Sequence, residues 1–422
     1  MLARPMARLR ADAARDARPG EDPMPSFPLT DLARDLWIDT FDLSGADIGL
    51  TTPTPWSVTK RTLRGGRRDG VDLVRLDNGA LSVAIVPTRG MGIWKGAYRG
   101  DDLGWRSPVV DGPVHPSHVH LSERGGLGWL DGFDELLVRC GLANNGGPYE
   151  VAVPGPDGSP ARHVVHGLHG RIANIPAHFV AVHVDDRPPH AITIEGRVAE
   201  SSLFFAQVEM TTKITIIPGS NRLVVRDEFV NRSDRPGSIQ LLYHWNFGPP
   251  YLGAGSRFAA PIETLAPRDA RAVEGLGHWS TYGPPEPGFT EQVYLAHLRG
   301  EGPEGRTLVM LRAPDEPKAV VLRFQRSRLS CFTLWKNTAG LRDGYVTGLE
   351  PATNFPHPRP FEEHRGRVVS LDPGGDYLVE TTLEVLDTNE AIAAVDAEIQ
   401  AIQAQGPPTI HPRPVEPFAP EG

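Results

Sequence analysis

Short apolar runs of strand length recur along most of this chain. They contain β-branched residues in partial alternation with polar ones, and glycine, proline, aspartate and asparagine bound them, which is the pattern of antiparallel strands joined by turns. The runs at 213–217 and 223–230 are separated by Pro-Gly-Ser-Asn-Arg, a sequence rich in turn-forming residues, and are predicted to form a β-hairpin. The clearest runs are residues 81–89, 178–184, 191–198 and 205–217.

The composition favours many turns over long helices. The 422 residues include 45 glycines and 41 prolines, more helix-breaking residues than a helical bundle tolerates. No helical pattern of about ten residues separates the later runs, which argues against a doubly wound α/β sheet. No internal repeat of fixed period is visible, so a propeller or solenoid is disfavoured. The later strand-like runs are residues 238–247, 307–313, 319–325, 330–337, 345–351 and 377–386.

Two helices are predicted beside the strands. A short one covers residues 30–36, and a longer one covers residues 389–405. The longer helix is preceded by Thr388, a candidate N-cap, and is followed by Gly406 and two prolines. The sequence therefore predicts an all-β fold with a C-terminal helix.

We expect one domain, spanning residues 24–406. The preceding residues 1–23 are rich in arginine, alanine and aspartate, and are predicted either to be a disordered lead or to lie before the true start at Met24. Residues 407–422 are predicted to form a proline-rich tail.

Charge and cysteine content limit the partners and the compartment. Lys and Arg number 43 and Asp and Glu number 52, and this net charge of -9 argues against nucleic acid and against anionic membrane surfaces. No apolar run approaches the roughly 20 residues of a membrane span, and no signal peptide is recognisable. The chain has only two cysteines, Cys140 and Cys331, and so low a number is typical of proteins in the reducing cytoplasm. A disulfide bond between the two is left as an alternative. We expect a cytoplasmic protein.

Three segments carry ionisable residues that could act on a ligand. In the first, His166 and His169 are each followed by glycine, and Arg171 is close by. Glycine lets a ligand or another backbone approach closely, so these histidines could face a cleft, although a solvated polar loop has the same pattern.

The other two segments lie at strand ends. His244 and Asn246 close the apolar run at 238–247, where a histidine could transfer protons in a partly dry site or be a satisfied core residue. Glu350 lies near the end of the run at 345–351, and partial burial would raise its pKa toward the range of a general base. Taken alone, Glu350 is also consistent with a solvent-exposed glutamate at the end of a strand.

Together these segments resemble the aldose 1-epimerase (galactose mutarotase-like) superfamily. The resemblance rests on LHGR with His169, HWNFG with His244 and GLEPATNFP with Glu350, which occur in the family's order. It covers roughly residues 77–386 and implies a large antiparallel β-sandwich that binds a sugar in a cleft on one sheet.

The resemblance also implies roles for these residues. Glu350 would be the base and His244 the acid, and His169 would hold a hydroxyl or share the acid role. No metal, nucleotide or other cofactor is implied. Sugar contacts would come from a stacking face and from hydrogen-bonding groups near the three segments, namely His166, Arg171, Asn246, Trp335, Lys336 and Asn354.

Two departures point to a less characterised branch of the superfamily. Where relatives carry an Asn-Tyr-Gly-Ala-like segment, this chain has Arg89, whose guanidinium suits an anionic sugar, although an arginine that binds turn carbonyls is an alternative. A long segment at 113–148 exceeds what ordinary mutarotases carry. We therefore expect an uncommon or acidic sugar as substrate.

The remaining alternatives concern a metal and the reaction. His115, His118 and His120 could bind a metal ion, although their setting favours a polar loop, and no metal site is predicted. The function predicted is the interconversion of sugar anomers by acid/base catalysis. A ketol isomerase or carbon epimerase using the same cleft, and a sugar-binding protein without turnover, remain alternatives, and a homodimer is left open.

Overall fold

The computed structural model describes residues 25–153 and 162–420, so the prediction for residues 1–23 falls outside the described part. Strands dominate it. The strands are β1 Ser26–Asp31, β2 Leu36–Trp37, β3 Thr40–Ser44, β4 Ser57–Thr62, β5 Asp72–Asp77, β6 Leu81–Val86, β7 Gly92–Tyr98, β8 Asp101–Leu103, β9 Leu137–Cys140, β10 Tyr149–Val153, β11 Arg162–His166, β12 Phe179–Val184, β13 Ile192–Ser201, β14 Gln207–Ile216, β15 Arg222–Asn231, β16 Gly237–Ile239, β17 Leu242–Phe247, β18 Arg257–Ala259, β19 Ile262–Pro267, β20 Gln292–Leu298, β21 Arg306–Arg312, β22 Ala319–Gln325, β23 Cys331–Asn337, β24 Val346–Ala352, β25 Val369–Leu371, β26 Asp376–Leu386 and β27 Thr409–Ile410.

Helices in the described residues are short apart from one near the C-terminus. The α-helices are α1 Glu123–Gly126, α2 Ala270–Glu274, α3 Arg359–His364 and α4 Asn389–Gln403. The 3₁₀ turns are Leu32–Arg34, Ala46–Ile48, Gly66–Arg68, Pro116–His118, Gly128–Gly132, Ile172–Asn174 and Leu276–His278.

Two large sheets form the body of the protein. One has ten strands in the order β18-β21-β22-β26-β15-β14-β13-β12-β1-β2. The other has thirteen, in the order β27-β19-β20-β23-β24-β17-β9-β7-β6-β5-β4-β3, with β8 beside β7. Pairing between the described strands is antiparallel except between β19 and β27, which are parallel. The predicted all-β sandwich with a C-terminal helix is confirmed.

The core lies between the sheets because apolar residues alternate along the strands. The predicted hairpin is β14–β15, in which Ile216 pairs with Leu223, and both side chains are buried. In β17, Tyr243, Trp245 and Phe247 belong to this core. The intervening residues of the strand therefore point to the outer face of the thirteen-stranded sheet.

A buried ion pair crosses the core and links the two sheets. Arg139 in β9 donates from Nε to Asp227 in β15 at 2.5 Å and from Nη2 at 3.0 Å. Another Nη2 hydrogen bond reaches the Thr212 hydroxyl at 2.8 Å, and the Tyr243 hydroxyl donates to Asp227 at 2.8 Å. Burial of this pair is compensated because the charged atoms are hydrogen-bonded from several directions.

The prediction for residues 30–36 is wrong, whereas the C-terminal helix is confirmed. The first segment forms β1 and β2 joined by the 3₁₀ turn Leu32–Arg34, because Asp31 caps a single turn by accepting from the Ala33 amide. Helix α4 begins after Thr388, whose hydroxyl accepts from the Ala391 amide at 3.2 Å. Four side chains bury the inner face of α4: Ile392, Val395, Ile399 and Ile402.

The proline-rich tail packs on the sandwich in its described part, up to residue 420. Strand β27 extends the thirteen-stranded sheet beside β19. Phe418 is buried against Phe355, with ring centroids 5.4 Å apart, and His357 Nε2 donates to the Phe418 carbonyl at 2.8 Å. Within the part described, no helix combines the length and apolar character needed to cross a bilayer.

Candidate active site

A histidine and a glutamate meet on neighbouring strands of the thirteen-stranded sheet. The pairing of Trp245 with Leu349 sets His244 in β17 opposite Glu350 in β24. Because Trp245 and Leu349 face the core, the side chains of His244 and Glu350 project from the outer face. His244 Nε2 lies 3.2 Å from Glu350 Oε1, and the two residues are only 4% and 2% exposed.

Four buried polar atoms at this place have no hydrogen-bond partner among the described residues. The 3.2 Å approach of His244 to Glu350 lacks hydrogen-bond geometry, which leaves Glu350 Oε1 unpaired. The others are His244 Nδ1, Asn246 Oδ1 and Thr333 Oγ1. Thr333 pairs with Glu350 across β23 and β24, and Asn246 is two residues from His244, so all four side chains share one face. An unpaired buried polar group costs about 1–3 kcal/mol, so this face is built to bind a polar partner.

Burial shifts the pKa values of the two central groups in opposite directions. Desolvation raises the pKa of the Glu350 carboxyl well above its ordinary value, and the charge of Glu291 adds to the rise while Arg268 opposes it. Desolvation also lowers the pKa of His244 well below its ordinary value, with a further contribution from His169. Because burial favours the neutral form of each, the pair carries a single proton over the pH range between the two pKa values.

Gly348 leaves the space in which the pair meets. A Cβ atom on Gly348 would lie 2.3 Å from Glu350 Oε1 and 2.9 Å from His244 Cε1. The carboxylate therefore folds back over the glycine, two residues earlier on the same strand. Any larger residue would displace the carboxylate, the imidazole or both.

His169 approaches the pair from a tight turn. Its φ is 58°, and the turn continues through Gly170, where a Cβ atom would lie 2.2 Å from the Gly141 carbonyl oxygen. His169 Nδ1 donates to the Asn145 carbonyl at 2.7 Å, which leaves Nε2 of the neutral ring as an acceptor. Burial lowers the pKa of His169 to about 4, so the ring is neutral at pH 7. Its centroid is 5.6 Å from that of His244.

Asn354 supports this turn instead of facing the pair. Its side-chain amide donates to Asn145 Oδ1 at 2.8 Å and accepts from Asn145 Nδ2 at 3.0 Å. The Asn145 carbonyl is the acceptor for His169. Asn354 therefore acts on the histidine through one intervening residue.

Aromatic rings cover the pair. Phe133, from the long segment before β9, packs edge-on against His244 with centroids 5.2 Å apart. Trp335 contacts the same histidine at 5.3 Å, and its indole nitrogen donates to Glu291 at 2.6 Å. Trp129 packs edge-on against His169 at 4.6 Å. This cover explains why two ionisable groups on an outer sheet face are nearly inaccessible to solvent.

The guanidinium of Arg89 makes four hydrogen bonds within the fold. Its Nε donates to Glu135 at 2.6 Å and its Nη1 to Asn174 at 2.8 Å. Nη1 also contacts the Val114 carbonyl at 3.2 Å, and Nη2 donates to the Gly132 carbonyl at 3.1 Å. These contacts hold the long segment at 113–148 in place. Arg89 therefore agrees with the alternative stated above, an arginine that binds carbonyl groups of the protein instead of an anionic sugar.

Three further predicted residues are not brought to the cluster. His166 stacks on Tyr149 at 4.7 Å and, with Arg171, lines a separate cavity of about 740 Å³. Lys336 follows Trp335 in β23 and therefore points to the other face of the sheet. There its ammonium donates to the carbonyls of His278 at 2.8 Å and Thr281 at 2.7 Å.

The histidine-rich segment has a structural role at its first residue. His115 Nδ1 accepts from the Ser117 amide at 3.2 Å and so caps the turn Pro116–His118. The described residues contain no group of three or more histidine, cysteine, aspartate or glutamate side chains that could hold a metal ion. Cys140 and Cys331 are free and buried.

Comparison with known proteins identifies the family. The family described as "Domain of unknown function (DUF4432)" matches residues 68–385. A Klebsiella pneumoniae subsp. pneumoniae protein of known structure, provisionally named an aldose 1-epimerase, is 32% identical. The match covers 93% of this chain and 99% of that one, with a TM-score of 0.86. The chain belongs to the aldose 1-epimerase superfamily. Within it, the chain is a member of the DUF4432 family.

Two proteins of lower sequence identity share the fold. A galactose mutarotase-like protein from Clostridium acetobutylicum is 14% identical, with a TM-score of 0.51 over 83% of this chain and 99% of that one. The Slr1438 protein from Synechocystis sp. PCC 6803 is 13% identical, with a TM-score of 0.50 over 74% of this chain and 95% of that one. None of the curated proteins compared with this superfamily member matches it significantly.

Four residues of the site in this epimerase-superfamily protein were missed by sequence reasoning. Thr333 and Gly348 have a readable signal, because each is two residues from a predicted site residue in the same strand, Trp335 and Glu350 respectively. Trp129 and Phe133 have no such signal. They lie in a long irregular segment whose path over the sheet cannot be read from its residues.

Proposed function

We propose that this protein interconverts the anomers of an aldose by acid/base catalysis at His244 and Glu350. The observation that carries the proposal is the group of unpaired buried polar atoms around these two residues. A sugar, with hydroxyl groups on every side, is a partner that could satisfy all of them. The similarity to the Klebsiella protein named as an aldose 1-epimerase supports the reaction class.

The reaction needs one base and one acid. Glu350, as carboxylate, takes the proton from O1, and a C1–O1 double bond forms as the bond from C1 to the ring oxygen breaks. The released electron pair goes to the ring oxygen, which takes a proton from His244. Rotation about C1–C2 and reversal of these steps give the other anomer and return both protons. The cycle starts from the form in which the single proton of the pair lies on His244 and Glu350 is ionised, and hydrogen bonds from the sugar hydroxyls to the carboxylate would favour that form.

The neighbouring residues would hold the sugar. His169, neutral and with Nε2 free as an acceptor, suits a hydroxyl donor better than a proton-donating role. Trp335 is anchored by Glu291 and offers an aromatic face to the sugar ring. Asn246 Oδ1 and Thr333 Oγ1 provide further hydroxyl partners.

Anomer exchange measured by magnetisation-transfer NMR tests this proposal. A panel of aldoses at their anomeric equilibrium is mixed with the protein in D₂O, and the exchange rate is compared with the rate without protein. We expect acceleration for at least one sugar and a loss on the order of a hundredfold in the Glu350→Gln variant. Glu228→Gln, at an exposed position on the other sheet, is the matched control and should keep full activity.

Other outcomes of the same experiment identify the alternatives. Deuterium appearing at C2, or a ketose accumulating, would indicate a carbon epimerase or ketol isomerase, because opening and closing the ring leaves C2–H intact. Tight binding of a sugar without accelerated exchange would indicate a sugar-binding protein. Either result would contradict the proposal.

A further inference from the structure

A second feature of the outer sheet face is a cavity of about 830 Å³ beside the covered pair. It is bounded by β7 and β8, by the segment that follows β8, and by the loop that joins β23 to β24. Two tryptophans, Trp94 and Trp105, contribute to its wall together with Tyr345. A cavity of this size with aromatic walls has the dimensions of a small-molecule site.

At the base of the cavity, the charges of Lys95 and Asp134 are paired with each other, and hydrogen bonds hold both side chains. Lys95 Nζ donates to Asp134 Oδ1 at 2.8 Å, to the Asp134 carbonyl at 3.0 Å and to the Trp105 carbonyl at 2.5 Å. The other carboxylate oxygen of Asp134 accepts from the Trp94 indole at 2.6 Å. All three ammonium protons of Lys95 are therefore used, and Trp94 is held in a fixed orientation.

Two arginines of the lining, by contrast, are free. Arg106 and Arg342 are exposed, and within the described residues neither makes an ion pair or a hydrogen bond through its side chain. Asp102 is the other exposed ionisable residue of the lining. With Lys95 and Asp134 included, the lining carries a net charge of +1, in a chain whose net charge is -9. A local excess of positive charge in an acidic protein attracts anions.

Apolar side chains of the lining are exposed as well. Val110 is 89% exposed and Leu341 is 56% exposed, and both line the same cavity as the free arginines. Exposed apolar side chains beside unpaired guanidinium groups suit a ligand that has both a carbon skeleton and a negative charge.

One aromatic ring separates this cavity from the candidate active site. Trp105 lines the cavity and packs on Phe133 with centroids 5.0 Å apart. Phe133 in turn packs on His244 with centroids 5.2 Å apart. A ligand that extends from the cavity toward the pair would therefore meet Phe133 first.

We propose that Arg106 and Arg342 bind the anionic group of the substrate, so that the protein acts on an aldose bearing a carboxylate or a phosphate. This inference rests on the proposed function, since it assigns the substrate class of that site. Arg106 and Arg342, instead of Arg89, are then the reason to expect an acidic sugar, because the Arg89 guanidinium is hydrogen-bonded within the fold. The anionic group would lie at the two arginines, where a guanidinium can bind it through two hydrogen bonds, and the sugar would extend from there past Trp105 and Phe133 to the pair.

Calorimetric titration of the whole protein tests the inference without depending on turnover. The probes are D-galactose, D-galacturonate, D-galactose 6-phosphate and inorganic phosphate. We expect at least one anionic sugar to bind about tenfold tighter than the neutral sugar or more, as a charge-assisted hydrogen bond would give. The two anionic sugars distinguish a carboxylate from a phosphate, and inorganic phosphate should bind more weakly than the preferred sugar.

A double variant, Arg106→Gln with Arg342→Gln, should lose this preference and bind the neutral sugar unchanged. The matched control removes the same charge from two exposed arginines outside the cavity lining, by Arg75→Gln with Arg235→Gln. Equal binding of neutral and anionic sugars, or an equal loss in both double variants, would overturn the inference. Arginine-dependent binding without anomer exchange would instead contradict the proposed function, and exchange of neutral sugars with no arginine dependence would contradict only the inference.

Discussion

At the scale of single residues, burial prepares His244 and Glu350 for complementary roles. A carboxyl and an imidazole in water would ionise separately, as base and acid, near neutral pH. Out of water, the pKa of the carboxyl rises and that of the imidazole falls, so the two groups together hold one proton. Ring opening takes a proton from O1 and gives one to the ring oxygen. The pair performs it in the form with an ionised Glu350 and a protonated His244, and the total charge of the pair does not change.

This arrangement predicts a bell-shaped pH dependence of kcat/KM. At low pH the pair gains a second proton and Glu350 can no longer act as base; at high pH the pair loses its last proton and His244 can no longer act as acid. Because the pKa of His244 is lowered and that of Glu350 is raised, activity should persist below the ordinary pKa of histidine and above that of glutamate. Exchange rates measured across pH check this expectation. A single limb centred at an ordinary carboxyl pKa would contradict it.

Gly348→Ala should reduce turnover while the protein remains folded. The new Cβ would lie 2.3 Å from Glu350 Oε1, so the carboxylate must move. A displacement of about 1 Å in a reacting group costs up to roughly a hundredfold in rate, and we expect a loss of tenfold or more. Gly277→Ala is the control, because a Cβ there meets nothing within 4 Å. Equal rates in the two variants would show that the position of the carboxylate is unimportant.

At the scale of strands and segments, side chains alternate between the two faces of a strand, and this alternation decides which of the predicted site residues lie together. His244 and Glu350 were predicted to act together, and the register of β17 and β24 sets them opposite each other. Trp335 and Lys336 were predicted to serve one ligand, although adjacent residues of a strand point to opposite faces. The strand predicted at 330–337 already implies that Trp335 and Lys336 lie on opposite faces of the sheet.

Irregular segments were the least predictable elements. Residues 30–36 predict a helix because their apolar residues fit a helix or a strand over so short a length. The long segment before β9 carries Phe133 over the pair, and only contacts distant in sequence determine that path. Its aromatic side chains could not be assigned to the site from local pattern.

The C-terminal tail is an element whose contribution to stability can be measured. Phe418 is buried beside Phe355, and Phe418→Ala should lower the free energy of unfolding by roughly 3 kcal/mol, the low end for loss of a buried phenylalanine. Ile410→Ala, at an exposed position of the same tail, should change it little. Urea denaturation of both variants checks this. Similar midpoints for both would show that the tail contributes little to stability.

At the scale of the whole molecule, the Arg139–Asp227 pair joins the two sheets beneath the candidate active site. Arg139 lies in β9, directly beside β17, which carries His244. Arg139 belongs to the long segment at 113–148, and no local signal in the sequence tells which face of β9 its side chain occupies. The sandwich class, by contrast, followed from strand-length runs and turn residues spread over the entire chain.

Removing one partner of this pair should destabilise the protein strongly. Arg139→Met leaves the buried Asp227 without its cation, and we expect a loss of roughly 3–5 kcal/mol in the free energy of unfolding. Replacing both residues, by Arg139→Met with Asp227→Leu, should cost less than the single change because no charge remains buried. Chemical denaturation of the two variants provides the comparison. A double variant less stable than the single one would contradict this account of the pair.

The most direct test of the central claim is a crystal structure of the Glu350→Gln variant with the aldose whose anomers the unmutated protein exchanges. The amide keeps the shape of the carboxylate and should hold the sugar without turning it over. The account predicts O1 within hydrogen-bond distance of the residue 350 side chain and the ring oxygen within that distance of His244 Nε2. A sugar bound elsewhere, or bound here with its anomeric carbon turned away from both residues, would contradict it.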